Sequence, residues 1–319
     1  MNDLVCVLLS VHNGSKFLVA QLESLSAQTH RNWMLLWRDD GSQDDSSRIM
    51  EAFADQIGGG RVRKLAEPTG QLGITSSFLS LLASAPADAA FFAFCDQDDV
   101  WFADKLERAV GHFAEVPAQQ AGLYCSRQML VDAELRPIGM SPAVKRAPGL
   151  GNALVQNIAT GCTIVINKEA RHHILSAQVP DGTLHDYWSY LVVCAVSGSV
   201  YFDPEPSIFY RQHGGNSVGS QASLVRRALR ALDRGPRPFL QGVANNISAL
   251  KLLPALTFEG ADILTKLEGL KSKNPIQRLE VLRKAGLFRQ RLGEGLLVRL
   301  WVTLRSLPDV SLRNYNNGL

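Results

Sequence analysis

The sequence has no C-x-x-C pair. Its five cysteines, Cys6, Cys95, Cys125, Cys162 and Cys194, are widely spaced and odd in number. That spacing argues against a thiolate zinc site and suits small buried thiols in a reducing compartment. No run of about 18 apolar residues occurs, so no transmembrane helix is expected. Met1-Asn2-Asp3 offers no basic n-region, and the apolar run from Leu4 to Val11 is cut at Asn13-Gly14, so no signal peptide is expected either. There is no internal repeat and no low-complexity tract. Basic residues are not interleaved with aromatics, which removes the usual nucleic-acid modules, and no nucleic-acid partner is expected.

What is present is ordinary globular composition. The chain has 319 residues, 46% apolar and 20% charged. That is enough for a large α/β domain with a smaller appendage. The net charge of +3 conceals a division: residues 221–319 carry 17 Lys and Arg against 7 Asp and Glu, a balance of +10, which leaves −7 for the first 220 residues. An acidic front and a basic tail point to two jobs, with a boundary near 220: a catalytic domain over 1–220 and a basic helical region over 221–319.

Short apolar runs alternate with helical patterns in the front half. Leu4–Ser10, Trp33–Trp37, Val62–Leu65 and Phe91–Cys95 read as buried strands; Ser15–Ala27, Asp44–Phe53, Thr75–Ala85 and Asp104–Phe113 read as helices, the first with Asn13 or Ser15 as its N-cap. Such alternation predicts a mostly parallel sheet with helices on both faces and all strand C-terminal ends on one edge. Ligands bind beyond that edge. Leu123–Leu130, Thr163–Asn167 and Val200–Phe202 read as further strands, and Leu184–Val196 as a helix with His185 and Asp186 in its first turn. Beyond about 220 the pattern turns to basic helical segments, beginning with Leu224–Leu232 and ending with Leu296–Leu307.

Two expected strands end in acid clusters. In FFAFCDQDDVW, Asp96, Asp98 and Asp99 follow a buried strand. Three carboxylates within four residues repel and raise one another's pKa. A divalent cation removes that conflict, and an oxygen-rich donor set suits Mg²⁺ or Mn²⁺ held jointly with substrate phosphates. A solvated acidic turn is the plain alternative. In Arg38-Asp39-Asp40-Gly41-Ser42, an Asp at a strand end can accept from the N–H edge of a pyrimidine or from a ribose, or can simply build a turn and cap a helix.

Taken in order, VCVLLSVHNG, WRDDGSQDD and FCDQDDVWFADKL resemble the N-terminal half of family 2 glycosyltransferases. The likeness is closer to rhamnosyltransferase-like members, because HDYW (His185–Trp188) and YRQHGGN (Tyr210–Asn216) recur with the acid run. It covers roughly residues 3–220. It implies a Rossmann-like glycosyltransferase-A fold with a C-terminal helical appendage. It implies that Asp40 binds the pyrimidine of a nucleoside-diphosphate sugar, for which deoxythymidine-diphosphate rhamnose is the donor suggested, and that His12 and Asn13 hold the nucleoside. Asp98, with Asp96 or Asp99, would meet the metal and diphosphate. Asp186 would be the base that deprotonates the acceptor hydroxyl, as opposed to a first-turn Asp serving only the helix dipole. His213 would join the metal or the diphosphate, Arg211 would meet phosphate, and Gly214-Gly215 would let the loop move. His185 would orient Asp186 or meet the acceptor, and Trp188 would stack on the acceptor or sit in the core. Asn157, Gly161 and Thr163 would support the acceptor side. The acceptor implied is a glycan, free or lipid-linked, of a bacterial surface polysaccharide such as an O-antigen.

In the tail, Arg226, Arg227 and Arg230 alternate with Leu224, Leu229 and Leu232, a pattern that fits peripheral contact with an anionic membrane from the cytoplasmic side or a helical pack with a solvated basic face. Two rival activities remain at this point: a metal-dependent nucleotidyl- or phosphoryl-transfer enzyme, which would normally show a Gly-rich basic phosphate loop, and a non-catalytic nucleotide- or glycan-binding module.

Overall fold

In the computed structural model, residues 3–66, 68, 70–213 and 235–308 are described. The expected boundary at 220, the segment Leu224–Leu232 with its three arginines, and the Gly214-Gly215 pair lie outside them.

Among the described residues, nine strands form one sheet. They are β1 (Val5–Val11), β2 (Trp33–Asp39), β3 (Val62–Lys64), β4 (Phe91–Cys95), β5 (Val100–Trp101), β6 (Gly122–Val131), β7 (Pro137–Met140), β8 (Val165–Asn167) and β9 (Ser199–Arg211). Their order is β3-β2-β1-β4-β8-β6-β9-β5, with β7 on β6. The first four run parallel, as the strand–helix alternation demands. Beyond β4 the sheet becomes mixed: β8 is antiparallel to β4 and β6, while β6 and β9 are parallel. The result is a mixed α/β architecture, parallel at one end.

The helices are α1 (Ser15–Ser26), α2 (Ser46–Ile57), α3 (Ile74–Ser84), α4 (Lys105–Phe113), α5 (Leu150–Ala153), α6 (Lys168–Leu175), α7 (His185–Ala195), α8 (Arg237–Leu250), α9 (Phe258–Glu268), α10 (Pro275–Lys284) and α11 (Leu292–Arg305). Side chains of β1 alternate between two cores, because successive residues of a strand face opposite ways. Val5, Val7, Leu9 and Val11 pack with Leu18, Leu22 and Leu25 of α1, Met50 of α2 and Leu106 of α4. Cys6 and Leu8 face Phe78 and Leu81 of α3, Ile174 of α6 and Leu191 of α7, and that same cluster takes in Leu240 and Ile247 of α8, Leu264 of α9 and Val298 of α11. A strand buried on both faces must be apolar throughout, which is why β1 reads VCVLLSV.

Two local expectations change. Neither Asn13 nor Ser15 caps α1. Gly14 is its N-cap, and the free N–H groups are met from the next loop: Gly14 N–H donates to Ser46 Oγ at 2.8 Å and Ser15 N–H to Asp44 Oδ2 at 2.9 Å. Second, Val200–Phe202 and the chain before Arg211 are one 13-residue strand. Asp203-Pro204-Glu205-Pro206 reads as a breaker, yet the strand continues through a register shift opposite Ser126 and Arg127. Arg108 holds this stretch by donating to the carbonyls of Glu205 and Pro206 at 2.9 Å each.

At the entry to β9 the backbone tolerates no side chain. A Cβ on Gly198 would stand 2.6 Å from the Ala121 carbonyl and 2.7 Å from Val193 Cγ1. Gly198→Ala is expected to lower unfolding stability by about 1–3 kcal/mol, read as a reduced urea midpoint at unchanged slope.

Candidate active site

The β1, β2 and β4 ends lie side by side, since Val11 pairs Asp39 and Leu9 pairs Cys95. The residues that follow each strand therefore share one edge. At the tip of β1, Asn13 adopts φ 48°, a left-handed conformation that Asn bears better than most side chains. The exposed His12 sits on the β2 turn: its Nδ1 is 3.1 Å from the Asp40 carbonyl, and its Nε2 accepts from Asn13 Nδ2 at 3.2 Å. The two contacts together select the Nδ1–H tautomer.

The acid loop is tied to this tip by Gln97, a residue whose part the sequence pattern did not disclose. Its Oε1 accepts from the His12 N–H and its Nε2 donates to the His12 carbonyl, both at 2.9 Å. The amide lies over Gly14, where a Cβ would come within 2.2 Å of Gln97 Oε1. Asp96 and Asp98 are half-buried, whereas Asp99 is enclosed. On the far side, β9 closes the loop through the ladder pair Val100–Phe209. Arg211 N–H donates to Asp99 Oδ1 at 3.1 Å, and Arg211 Nε to the Asp98 carbonyl at 2.8 Å. His213 Nε2 meets Asp98 Oδ2 at 2.8 Å. Phe17 of α1, also unforeseen, carries both: its ring lies 4.8 Å from the His213 ring and 4.5 Å from the Arg211 guanidinium.

Electrostatically the loop is short of positive charge. Burial, then the charges of Asp98 and Asp186, push the Asp96 carboxyl well above the usual range. Burial, then Asp98 and Asp96, do the same to Asp99. Asp99 Oδ2 has no hydrogen-bond partner among the described residues. Beneath the loop, Lys105 is fully buried, its ammonium 4.5 Å from the Trp101 ring centre, and burial brings its pKa down to about 8.

Asp96, Asp99 and Cys162 present ligand atoms within 4.8 Å of one another. Burial raises the Cys162 thiol far above its ordinary value, so it stays protonated and is a poor donor to a hard ion. The carboxylates and the imidazole of His213 suit such an ion, and their mutual repulsion is what a dication would relieve. The donor set fits the expected Mg²⁺ or Mn²⁺.

Asp186 opens α7 facing the same loop. Its Oδ1 accepts from the Tyr187 N–H at 2.6 Å and its Oδ2 from the Gly161 N–H at 3.2 Å. Burial raises its pKa to about 6, against the hydrogen bonds from Tyr187, Gly161 and Asn157, which lower it. Gly161 packs closely on this corner: a Cβ there would stand 3.0 Å from His185 Nε2 and 3.5 Å from Asp186 Cβ. Asn157 and Gly161 thus support Asp186 itself. The chain before α7 is pinned by the C-terminal region: Thr183 Oγ1 donates to Asn246 Oδ1 of α8 at 2.8 Å.

Several expected contacts are corrected. His185 is not at an acceptor surface: it is 4% exposed, stacked on Phe78 at 4.1 Å and edge-on to Phe94 at 4.9 Å. Burial lowers its pKa to about 3, so it is a neutral core ring. Trp188 is wholly buried and donates from Nε1 to the Ile174 carbonyl at 3.3 Å, so it is no stacking platform. Arg211 is buried, and its guanidinium donates to the carbonyls of Asp98 and Ala133. Asp40 has protein partners on both oxygens: the N–H groups of Leu72 at 2.6 Å and Gly73 at 3.0 Å, Ser77 Oγ at 3.0 Å, and Arg38. Burial alone would raise the Asp40 pKa, but these donors lower it. In this arrangement Asp40 organises the turn before α3.

Residues 6–139 match the sequence model of glycosyl transferase family 2. The chain carries a family 2 glycosyltransferase domain. Its enzyme class is sugar transfer. The matched segment of this glycosyltransferase contains His12, Asp40 and the acid loop; Asp186 and His213 lie beyond it. The chain is 26% identical over 232 residues to the dTDP-rhamnosyl transferase RfbG of Shigella flexneri, covering 70% of this chain and 77% of that one. It is 32% identical over 113 residues to an Escherichia coli protein, the UDP-Glc:alpha-D-GlcNAc-diphosphoundecaprenol beta-1,3-glucosyltransferase WfgD, covering 34% of this chain and 41% of the other. Among solved structures, S. aureus TarS 1–349 in complex with UDP-GlcNAc superposes with a TM-score of 0.53 at 15% identity, covering 88% of this chain and 90% of that one. That likeness is one of fold.

Arg38 and Asp40 form a buried ion pair, and Arg38 also donates to Ser77 Oγ at 2.8 Å. Arg38→Met leaves the Asp40 carboxylate buried without its cation and is expected to lower unfolding free energy by about 3–5 kcal/mol. Urea denaturation reads it, and a loss below about 1 kcal/mol would show that the pair does not hold this turn.

Proposed function

We propose that this glycosyltransferase moves a sugar from a nucleoside-diphosphate donor to an acceptor hydroxyl by a single inverting displacement, with Asp186 as the base. The observation that carries the reading is the electrostatic coupling of Asp186 to the acid loop: its charge is among those that raise Asp96. A base that takes the acceptor proton and a site for the departing diphosphate belong within one pocket, and here they feel each other. Held by two backbone N–H groups, the Asp186 carboxylate keeps one orientation, which suits proton abstraction and gives it no freedom to swing onto the sugar as a nucleophile.

Asp98 with Asp96 or Asp99, and His213, would hold the divalent ion. When bound, that ion neutralises charge on the leaving diphosphate, in the place a general acid takes in glycoside hydrolysis. His12 and Asn13 are exposed beside this loop, where a nucleoside would lie. The donor proposed is deoxythymidine-diphosphate rhamnose, in line with the name of the RfbG relative. The acceptor proposed is a growing bacterial surface glycan on a lipid carrier, in line with the diphosphoundecaprenol in the name of WfgD. The basic C-terminal region then rests against an anionic membrane at its cytoplasmic face. Residues 1–220 form the catalytic part in this scheme.

Incubation with nucleotide sugars, with and without acceptor, is expected to release a nucleoside diphosphate; release of pyrophosphate would favour nucleotidyl transfer, and donor binding without turnover on any acceptor would favour a binding module. Asp186→Asn is expected to keep donor affinity and lose transfer by about a thousandfold or more; turnover near the parent's would remove Asp186 from the role. Because the base must be ionised and its pKa is raised to about 6, transfer should rise with pH through 6 and fall about tenfold per unit well below it. An acid limb centred near 4 instead would mean that another group titrates. Chelation by EDTA is expected to abolish transfer, and Mn²⁺ or Mg²⁺ to restore it; activity undiminished by chelator would dismiss the ion.

A further inference from the structure

One surface takes no part in the site described above. On α11, Leu292, Leu296, Leu300 and Leu304 recur every fourth residue and are 79%, 66%, 52% and 65% exposed. On the opposite side of the helix Val298 and Val302 are buried in the main core. Residues four apart share a helix face, so the four leucines make one outward stripe about 18 Å long. A row of large apolar side chains in water marks a contact surface, since scattered single ones are what ordinary surfaces show.

The charge of the region that carries the stripe selects the partner. Residues 235–308 hold twelve Lys and Arg against five Asp and Glu, a balance of +7. The one acid on α11, Glu294, lies 3.0 Å from Arg289 and 3.9 Å from Arg291. Arg299 and Arg305 stand on the same helix. An apolar stripe on a region of net positive charge matches an interface with acyl chains below and anionic headgroups around it. The helix has 14 residues, about 21 Å, which is less than the roughly 30 Å of a hydrocarbon core. Among the described residues no helix is long and apolar enough to cross a membrane. It can lie in the interface but not span it. A second copy of the chain fits worse: the stripe offers roughly 500 Å², below the roughly 800 Å² per partner of a stable dimer, and two such cationic faces repel.

We infer that α11 is the membrane-contact helix of this enzyme, seated by its leucine stripe in the headgroup region of an anionic bilayer. The inference rests on the membrane association proposed above and assigns it to particular side chains. The test is co-sedimentation of the full chain with phosphatidylcholine vesicles and with vesicles containing phosphatidylglycerol, at low and high salt. The parent chain should pellet with the anionic vesicles and less so at high salt. The double variant Leu296→Ser/Leu300→Ser, with an unchanged thermal midpoint, should lose about tenfold or more in partitioning. Parent-like partitioning of the variant would overturn the assignment to α11 and leave membrane association standing. No binding of the parent to anionic vesicles would overturn both. Equal binding to the two vesicle types would refute the anionic partner. A parent that elutes as a dimer and does not bind vesicles, beside a monomeric variant, would make the stripe an interface between copies.

Discussion

Three carboxylates held within four residues at the end of β4 are the constraint on which the site depends. Left alone, such a loop would splay its side chains into water. Here it is clamped from both sides, by the Gln97 amide on the His12 backbone and by Arg211 on the Asp98 carbonyl and Asp99 carboxylate. The clamp keeps the repulsion in place, as the raised pKa values of Asp96 and Asp99 record. The helix face that carries Asp186 contributes to the same field, so Asp186 and the acid loop are joined through electrostatics.

The fold places these groups by a division of labour within one sheet. The parallel half, β3-β2-β1-β4, delivers three strand ends to a common edge. The mixed half brings β9 back alongside the acid loop and seats α7 above the Gly161 turn. The C-terminal helices share the core of α3, α6 and α7, and α8 reaches the chain before Asp186 through Asn246. A change in the rear helices can therefore be felt at Asp186 without touching it.

Much of this was legible in the sequence where a pattern is local. LVCVLLS and FFAFC announce buried strands because both faces are covered, and DDGS and DQDD mark the edge where they stop. What was not legible depends on residues distant in the chain. A His before an Asp at a helix start reads the same whether it faces solvent or core; Phe78 and Phe94 decide it, about a hundred residues away. Trp188 is settled likewise by the packing of α6. Asp40 looks available until the N–H groups of Leu72 and Gly73 are seen to fold over it. Pro204 and Pro206 suggest a break that Arg108, donating across from α4, does not permit. Gln97 was visible in the acid run, but its partner is a backbone 85 positions earlier, and no spacing rule reaches that far.

The contact of Gln97 with Gly14 makes two distant positions into one unit of variation. A methyl group at 14 would occupy the space of the amide, so Gln97 would have to swing off the His12 backbone or be shortened, and either change frees the acid loop from the first strand. The glycine and the glutamine are therefore best varied together.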